Sequence, residues 1–447
     1  MMARLLVLAC LLVLPRWALA LDIQSIKSTD GIEIWLVEDH ANPIVSVAFG
    51  FKGGAAYDPP GKEGLAELTS GLLDEGAGDV DTEHFQKRLT DRGIDFSFES
   101  QLDDFTGRMR FLRDDRAEAA ELLGLALSAP RFDPEPVERI RNGLLVEIAQ
   151  DQADPNSIAG RVLEQTMLPG HPYARPSNGT KESVTSITAD DLRQFVRARF
   201  VRTRLMISIV GDVSPAEAKA FVDRAFGGLP RDADLATIPP MAASKEGRTS
   251  LVDFAVPQAI VQFAQPGIRR ADPDFFPAYL VNYVLGGGGF SSRLMDEVRE
   301  KRGLVYGIGS DLWTFDAGGL IAGQFQTDPG KVAQAIDIVR TQWKRMASEG
   351  PTQRELDDAK TYLLGYYPRN FTTTMETARA LLGLQIEHLG IDYVTRRQKE
   401  IAAVTIDDAR RAAKRLFDAN ALTFIVVGPA DQIQLPGAEV VKAPAQD

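Results

Sequence analysis

Thr188-Ala-Asp-Asp-Leu192 leads through a helical stretch into Leu205-Met-Ile-Ser-Ile-Val-Gly211, and the order returns as Thr405-Ile-Asp-Asp-Ala409 and Leu422-Thr-Phe-Ile-Val-Val-Gly428. Both pairs sit at one offset, since 188 to 405 and 211 to 428 are each a step of 217 residues. In each copy the threonine suits a helix N-cap and the acids suit its first turn; an apolar strand follows. Other parallels keep the same order. Pro43 to Phe51 matches Gln258 to Gln265 as an apolar strand, and Pro134 to Ile148 matches Pro351 to Tyr362 as a proline-started, acid-rich helix. The chain is therefore a duplication. Each half mixes neighbouring strands with long helices, which predicts an α+β fold rather than a doubly wound sheet. The stretch 227–247, GGLPRDADLATIPPMAASKEG, is rich in proline, glycine and small residues, as a linker is. The expected organisation is a domain over 21–230, a linker over 231–250, a second domain over 251–435 and a tail over 436–447.

A length of 447 residues suits two or more domains, and 44% hydrophobic with 25% charged residues is ordinary for globular chains. The net charge of −12, with no basic stretch to offset it, argues against a nucleic-acid partner. Residues 1–20 combine Arg4, an apolar run from Leu5 to Leu14 and Ala18-Leu19-Ala20, the pattern of a secretory signal peptide. That run is too short to span a bilayer, so no membrane span is expected. Cys10, the only cysteine, lies inside it, which leaves a cysteine-free mature chain suited to an oxidising compartment. A periplasmic address is expected, with secretion from the cell as the alternative. Leu8-Ala9-Cys10 leaves a lipoprotein reading open.

Gly64 to Gly78 reads GLAELTSGLLDEGAG. Leu65, Leu68 and Leu72 mark one face of an amphipathic helix, and Glu67, Ser70, Gly71 and Asp74 fall on the other. This stretch resembles the zinc helix of the insulinase/pitrilysin-type metallopeptidases, whose pattern is G-L-A-H-x-x-E-H. In that motif two histidines hold the metal and the glutamate activates a water. Glu67, Ser70 and Gly71 stand at those three places, and Glu147 stands where the family's third ligand would be. The resemblance implies a degenerate zinc site and no metal in this chain. The chain's four histidines, His40, His84, His171 and His388, form no H-x-x-E-H or H-E-x-x-H. Zinc lowers the pKa of a bound water from about 15.7 to about 7, worth roughly 12 kcal/mol, and no lone carboxylate replaces that. Glu67, Ser70 and Glu147 could offer oxygens to a hard cation, but such cations want six or more.

The resemblance spans the mature chain. His171-Pro-Tyr173 with Gly179, and Ile209-Val-Gly-Asp212, look like loop and strand ends of these peptidases, with His171 a structural loop residue. The family implies two homologous domains, each an antiparallel sheet packed with helices, closing like a clam around a peptide. Leu285-GGGG-Phe290-Ser-Ser-Arg293 continues to Arg299, Gly303 and Tyr306. The glycine run fails as a phosphate cradle because no Gly-Lys-Ser/Thr follows. It resembles the family's second-domain motif, with a helix from Ser291 to Arg302 ended by Gly303 and a strand begun at Tyr306. There an arginine and a tyrosine seven apart reach the substrate across the cleft. Arg299 and Tyr306 match, while Arg293 is expected to be structural. A guanidinium fork can hold a peptide carbonyl or carboxylate, and a phenol can donate to a developing oxyanion. Ile94 to Gln101 resembles the edge strand that takes peptide by strand addition, which makes Phe96, Ser97 and Phe98 candidate substrate contacts.

The resemblance implies a non-zinc subunit of a periplasmic peptidase. A zinc-bearing homologous partner would hydrolyse the peptide, in a heterodimer, while this chain lends Arg299 and Tyr306. The alternative is a non-catalytic binding or assembly protein of the same fold, like core subunits of respiratory complexes. A third reading, hydrolysis by this chain alone with another metal, would require a stoichiometric, tightly held ion.

Overall fold

The computed structural model describes residues 21–443, so the expected signal segment with Cys10 and residues 444–447 lie outside the described residues. The duplication is visible in the topology. The first half contributes β1 (Gln24–Lys27), β2 (Glu33–Glu38), β3 (Ile44–Lys52), β4 (Asp95–Ser100), β5 (Asp104–Leu112) and β6 (Leu205–Gly211), in the spatial order β1-β2-β6-β3-β5-β4. The second contributes β7 (Thr249–Asp253), β8 (Ala259–Pro266), β9 (Val305–Phe315), β10 (Gly318–Thr327), β11 (Thr423–Gly428) and β12 (Glu439–Val441), in the order β12-β7-β11-β8-β10-β9. Both are α+β layers. Neighbours are mostly antiparallel; β2–β6, β7–β11 and β12–β7 run parallel. The first two of those joins close each half, because β6 and β11 return only after the helices and so arrive by long crossovers.

The repeated threonines cap helices as their sequence suggests. Thr188 Oγ1 accepts from the Asp191 N–H at 3.2 Å, and the Asp191 carboxylate accepts from the Thr188 N–H at 2.8 Å. Thr405 and Asp408 do the same at 3.1 and 2.9 Å. Each box satisfies two backbone donors that the helix start leaves free. One face of each sheet buries a helical layer over an aromatic core: Phe49, Phe51, Phe105 and Phe226 in the first domain, and Phe263, Trp343 and Phe424 in the second.

The other face of each sheet is covered by a helix from the opposite half. The helix Pro155–Met167 lies on β8 and β11, with Ile158, Ala159 and Leu163 against Ile260, Ile425 and Val427. In return the helix Thr374–Ile386 lies on β3 and β6, with Ala378, Leu381 and Leu382 against Ala48 and Val210. The halves are thus interlocked rather than merely tethered. A polar latch joins them at the β9–β10 turn. Tyr173 Oη donates to Asp103 at 2.6 Å and accepts from the Ala317 N–H at 3.2 Å. Lys52 Nζ bridges Asp104 at 3.0 Å and Asp316 at 2.8 Å. Among the described residues no helix is long and apolar enough to cross a membrane.

Candidate functional site

The helix Leu65–Ser70 starts on Gly64, whose φ of +88° suits only glycine, and a Cβ there would lie 2.6 Å from the Asn178 carbonyl oxygen. Leu65, Leu68 and Leu72 are buried, which leaves Glu67 half-buried on the opposite side. None of the three motif positions is prepared for a zinc ion. Ser70 Oγ donates to the Glu67 carbonyl at 2.7 Å, and Gly71 carries no donor atom. A Cβ on Gly71 would meet Ile140 Cγ2 at 2.9 Å, so packing has closed over that place. Glu147, on the helix Pro134–Ala153, accepts from Asn178 Nδ2 at 3.3 Å. Burial first, then the Glu147, Glu99 and Asp58 carboxylates, push the Glu67 carboxyl up to about 7. A zinc ion at this place would hold a ligand carboxylate ionised; here neighbouring acids favour its protonated form. Nitrogen and thiolate donors are missing, so the residues do not fit zinc. Among the described residues no group of three or more His, Cys, Asp or Glu side chains converges as a metal site.

Three of the four histidines are engaged elsewhere. His40 Nδ1 meets Asp212 at 2.6 Å and His84 Nδ1 meets Asp81 at 2.7 Å. His171 Nδ1 accepts from the Tyr173 N–H at 3.2 Å, so Nε2 donates to the Pro239 carbonyl at 2.9 Å and ties the loop to the inter-domain segment.

β4 is the outer strand of the first sheet and pairs only with β5. One of the three expected substrate contacts on it, Phe96, needs correction. Phe96 is buried in the first core, and Phe98 packs against it with ring centroids 4.6 Å apart. Strand alternation turns both rings towards the helix layer, which closes Phe96 to a peptide, while the half-buried Phe98 still lines a groove of about 400 Å³ with Ser97. Ser97 faces the opposite way and accepts from Arg108 Nε at 2.8 Å. Glu99 on the same face, which the sequence reading passed over, belongs to the carboxylates around Glu67.

Arg299 and Tyr306 are brought together at the end of the second sheet. The helix between them departs from the expected span. Gly289–Ser291 forms a 3-10 turn, and Met295–Glu300 is wound as a π-helix, in which the Lys301 N–H reaches the Asp296 carbonyl at 2.9 Å. Gly303, at φ +59°, stops it, with its N–H on the Arg299 carbonyl at 2.8 Å. The guanidinium lies 4.6 Å from the Phe290 ring centre and 5.2 Å from that of Tyr306. Its nearest carboxylate, Glu300, is 3.6 Å away. Two aromatic faces thus position this arginine while its donors stay free of any tight ion pair.

Tyr306 is 88% exposed, and the cause is a register shift. From Phe315 to Ile308 the strand β9 pairs regularly with Gly318 to Phe325 of β10, but Val305 pairs with Thr327. Tyr306 and Gly307 together oppose Gln326, a β-bulge. In unbroken register Tyr306 would share the core side of Ile308 and Ser310. The bulge gives that core place to Val305 and turns Tyr306 outward. A cavity of about 540 Å³ opens beside it, lined by Tyr306, Gly309, Asp311 and Trp313 of β9, by β8 and β10, and by Asn156. None of Glu67, Ser70, Gly71 or Glu147 lines this cavity.

Both halves of the chain are similar to known proteins. Residues 33–181 match the family model described as insulinase (peptidase family M16), and residues 186–363 match that of the peptidase M16 inactive domain. A non-peptidase homolog, YmxG of Helicobacter pylori, is 26% identical over 392 residues, covering 87% of this chain and 90% of its own. An uncharacterized zinc protease of Streptomyces coelicolor is 29% identical over 329 residues, covering 72% and 71%. The crystal structure of a peptidase M16 inactive domain from Pseudomonas fluorescens superposes with a TM-score of 0.87 at 28% identity, covering 93% of this chain and 100% of its own.

Proposed function

Because the chain belongs to the insulinase family of M16 peptidases and lacks that family's zinc ligands, we propose that it is the non-zinc subunit of a two-chain periplasmic peptidase. Its part is to present Arg299 and Tyr306 to a cleft shared with a zinc-motif-bearing homologous subunit. The observation that carries this reading is an asymmetry. Packing has filled the place of the metal ligand at Gly71, while a bulge turns Tyr306 out to solvent and the rings of Phe290 and Tyr306 hold the half-buried Arg299 beside it. A tyrosine that is 88% exposed contributes little to this chain's own core, and the half-buried arginine stacked beside it is held in no tight ion pair. The arginine fork orients a peptide carbonyl or carboxylate, and the tyrosine hydroxyl donates to the oxygen that gains charge as the peptide bond is attacked in the partner.

The test is reconstitution. The chain is purified alone and together with a zinc-motif homologue encoded nearby, and peptide cleavage is followed. Activity is expected from the mixture only. Tyr306→Phe and Arg299→Ala each lower kcat by about 100-fold, the range for loss of one transition-state donor. Undiminished cleavage by the double variant would refute the proposal. It would favour the alternative, a binding or assembly protein of the same fold.

A further inference from the structure

We infer that the open outer face of β9 and β10 is a specificity subsite for a basic residue of an extended peptide, with Asp311 and Trp313 as its cation pocket. The inference rests on the preceding reading only in taking a peptide as the substrate. The exchanged helix Pro155–Met167 lies chiefly on β8 and β11, and its apolar cluster reaches Leu320 and Ala322 of β10 but includes no residue of β9. What remains uncovered is the cavity of about 540 Å³ that begins at Tyr306. Its floor is low because Gly309 stands opposite Gln324 and Asp311 opposite Ala322, so small residues alternate with polar ones. Gln324 and Gln326 are exposed, and neither side chain is in a hydrogen bond among the described residues. Each can both donate to and accept from a peptide backbone.

Charge identifies the occupant. Asp311 is, among the described residues, the only charged one lining the cavity. Among the described residues it has no ion pair and no side-chain hydrogen bond, and it is exposed along the cavity, with partial desolvation the one cause that raises its carboxyl pKa. Trp313 lies two residues further along the same strand face and is 40% exposed. A carboxylate beside an indole face offers an ammonium or guanidinium group both charge pairing and cation–π attraction. The matching groove on the first sheet, of about 400 Å³, sets Arg108 and Arg379 against Glu99 and Glu387, so only the second groove selects one sign of charge.

The peptide lies on the sheet face rather than adding as a strand. Along the outer edge of β9, Asn282 Nδ2 already donates to the Ser310 carbonyl at 2.8 Å, and the Ile308 N–H points to Met295 Sδ at 3.4 Å. From Tyr306 to Asp311 the strand advances roughly 16 Å, so the basic residue sits about five positions from the bond that Tyr306 serves.

The test uses the full mature chain and two labelled Gly/Ala/Ser peptides of about ten residues, one with a central lysine and one with norleucine in its place. Binding is read by anisotropy. The lysine peptide is expected to bind about tenfold tighter, with Asp311→Asn abolishing the preference and Trp313→Leu reducing it. Equal affinity, no saturable binding of either peptide, or a preference that survives Asp311→Asn overturns the inference. Failure of the subunit reading looks different: reconstituted cleavage would ignore Arg299→Ala and Tyr306→Phe while the lysine preference persisted.

Discussion

Glu67 occupies the place of a metal ligand and keeps the burial without the metal. A carboxyl whose pKa rises from 4.5 to about 7 on folding binds its proton more tightly in the folded chain. The folded state is therefore favoured fully below pH 4.5, and that advantage is lost as pH rises through about 7. The gap amounts to roughly 3 kcal/mol, which solvent screening at this half-buried site reduces to the order of 1–2 kcal/mol. Glu67→Gln removes the charge and keeps the shape. Urea denaturation at pH 8 should show the variant more stable than the parent by that amount, with the two curves merging near pH 4. Equal midpoints at pH 8 would mean that the carboxylates around Glu67 are better hydrated than their burial implies. Arg293 shows the contrary case: its fork pairs with both Glu355 oxygens at 2.7 Å, which makes it a structural residue, as its sequence setting suggested.

At the scale of the element, the helix from Gly64 has been repacked, and ligand loss is only part of the change. Restoring the motif as Glu67→His, Ser70→Glu and Gly71→His would drive a side chain into Ile140 Cγ2, which a bare Cβ already approaches to 2.9 Å. Overpacking of this kind costs about 1–3 kcal/mol. The triple variant should melt below the parent and purify with well under one zinc per chain by elemental analysis. Adding Ile140→Ala should raise the zinc content. Full zinc occupancy of the triple variant at unchanged stability would show that only the ligands were lost. The helix itself was legible, because its leucines keep a helical spacing and Gly64 sits where a left-handed start is needed. The seven-residue step from Arg299 to Tyr306 was legible as well. The bulge that aims Tyr306 was not, since Tyr-Gly-Ile-Gly carries too weak an alternation to reveal a one-residue slip. The π-winding of Met295–Glu300 escaped for a related reason: it answers to packing, with Met295 held against the Ile308 N–H across the sheet edge. The inward turn of Phe96 and Phe98 likewise depends on the register with β5, which no run of eight residues discloses.

For the whole molecule, the duplication was legible but the exchange of helices was not. A proline-rich segment between repeats reads as a tether between independent domains, and periodicity says nothing about which sheet a helix will cover. The structure makes the halves dependent. Without the helix Thr374–Ile386, a fragment spanning residues 21–230 would expose Trp35, Val37, Ala48 and Val210, all buried in the intact chain. It would also carry the helix Pro155–Met167 with no sheet to lie on. Burying one large apolar side chain is worth about 1.5–3 kcal/mol, so losing several such contacts consumes most of the 5–15 kcal/mol that usually stabilises a domain. The isolated fragment should therefore bind a hydrophobic dye and aggregate, and co-expression with residues 231–443 should yield a soluble, co-purifying pair. The intact chain should then unfold in one transition, because melting either half uncovers the other's outer face. A fragment 21–230 that stayed monomeric with the urea midpoint of the full chain would show that the exchanged helices are ornaments on two self-sufficient domains. The same dependence bears on the cleft: with the halves locked through Tyr173, Asp103 and the β9–β10 turn, whatever seats on the second sheet is held at a fixed distance from the first. A partner subunit would then meet Arg299 and Tyr306 on a rigid surface, so docking need not order them and more of its binding energy remains for the substrate.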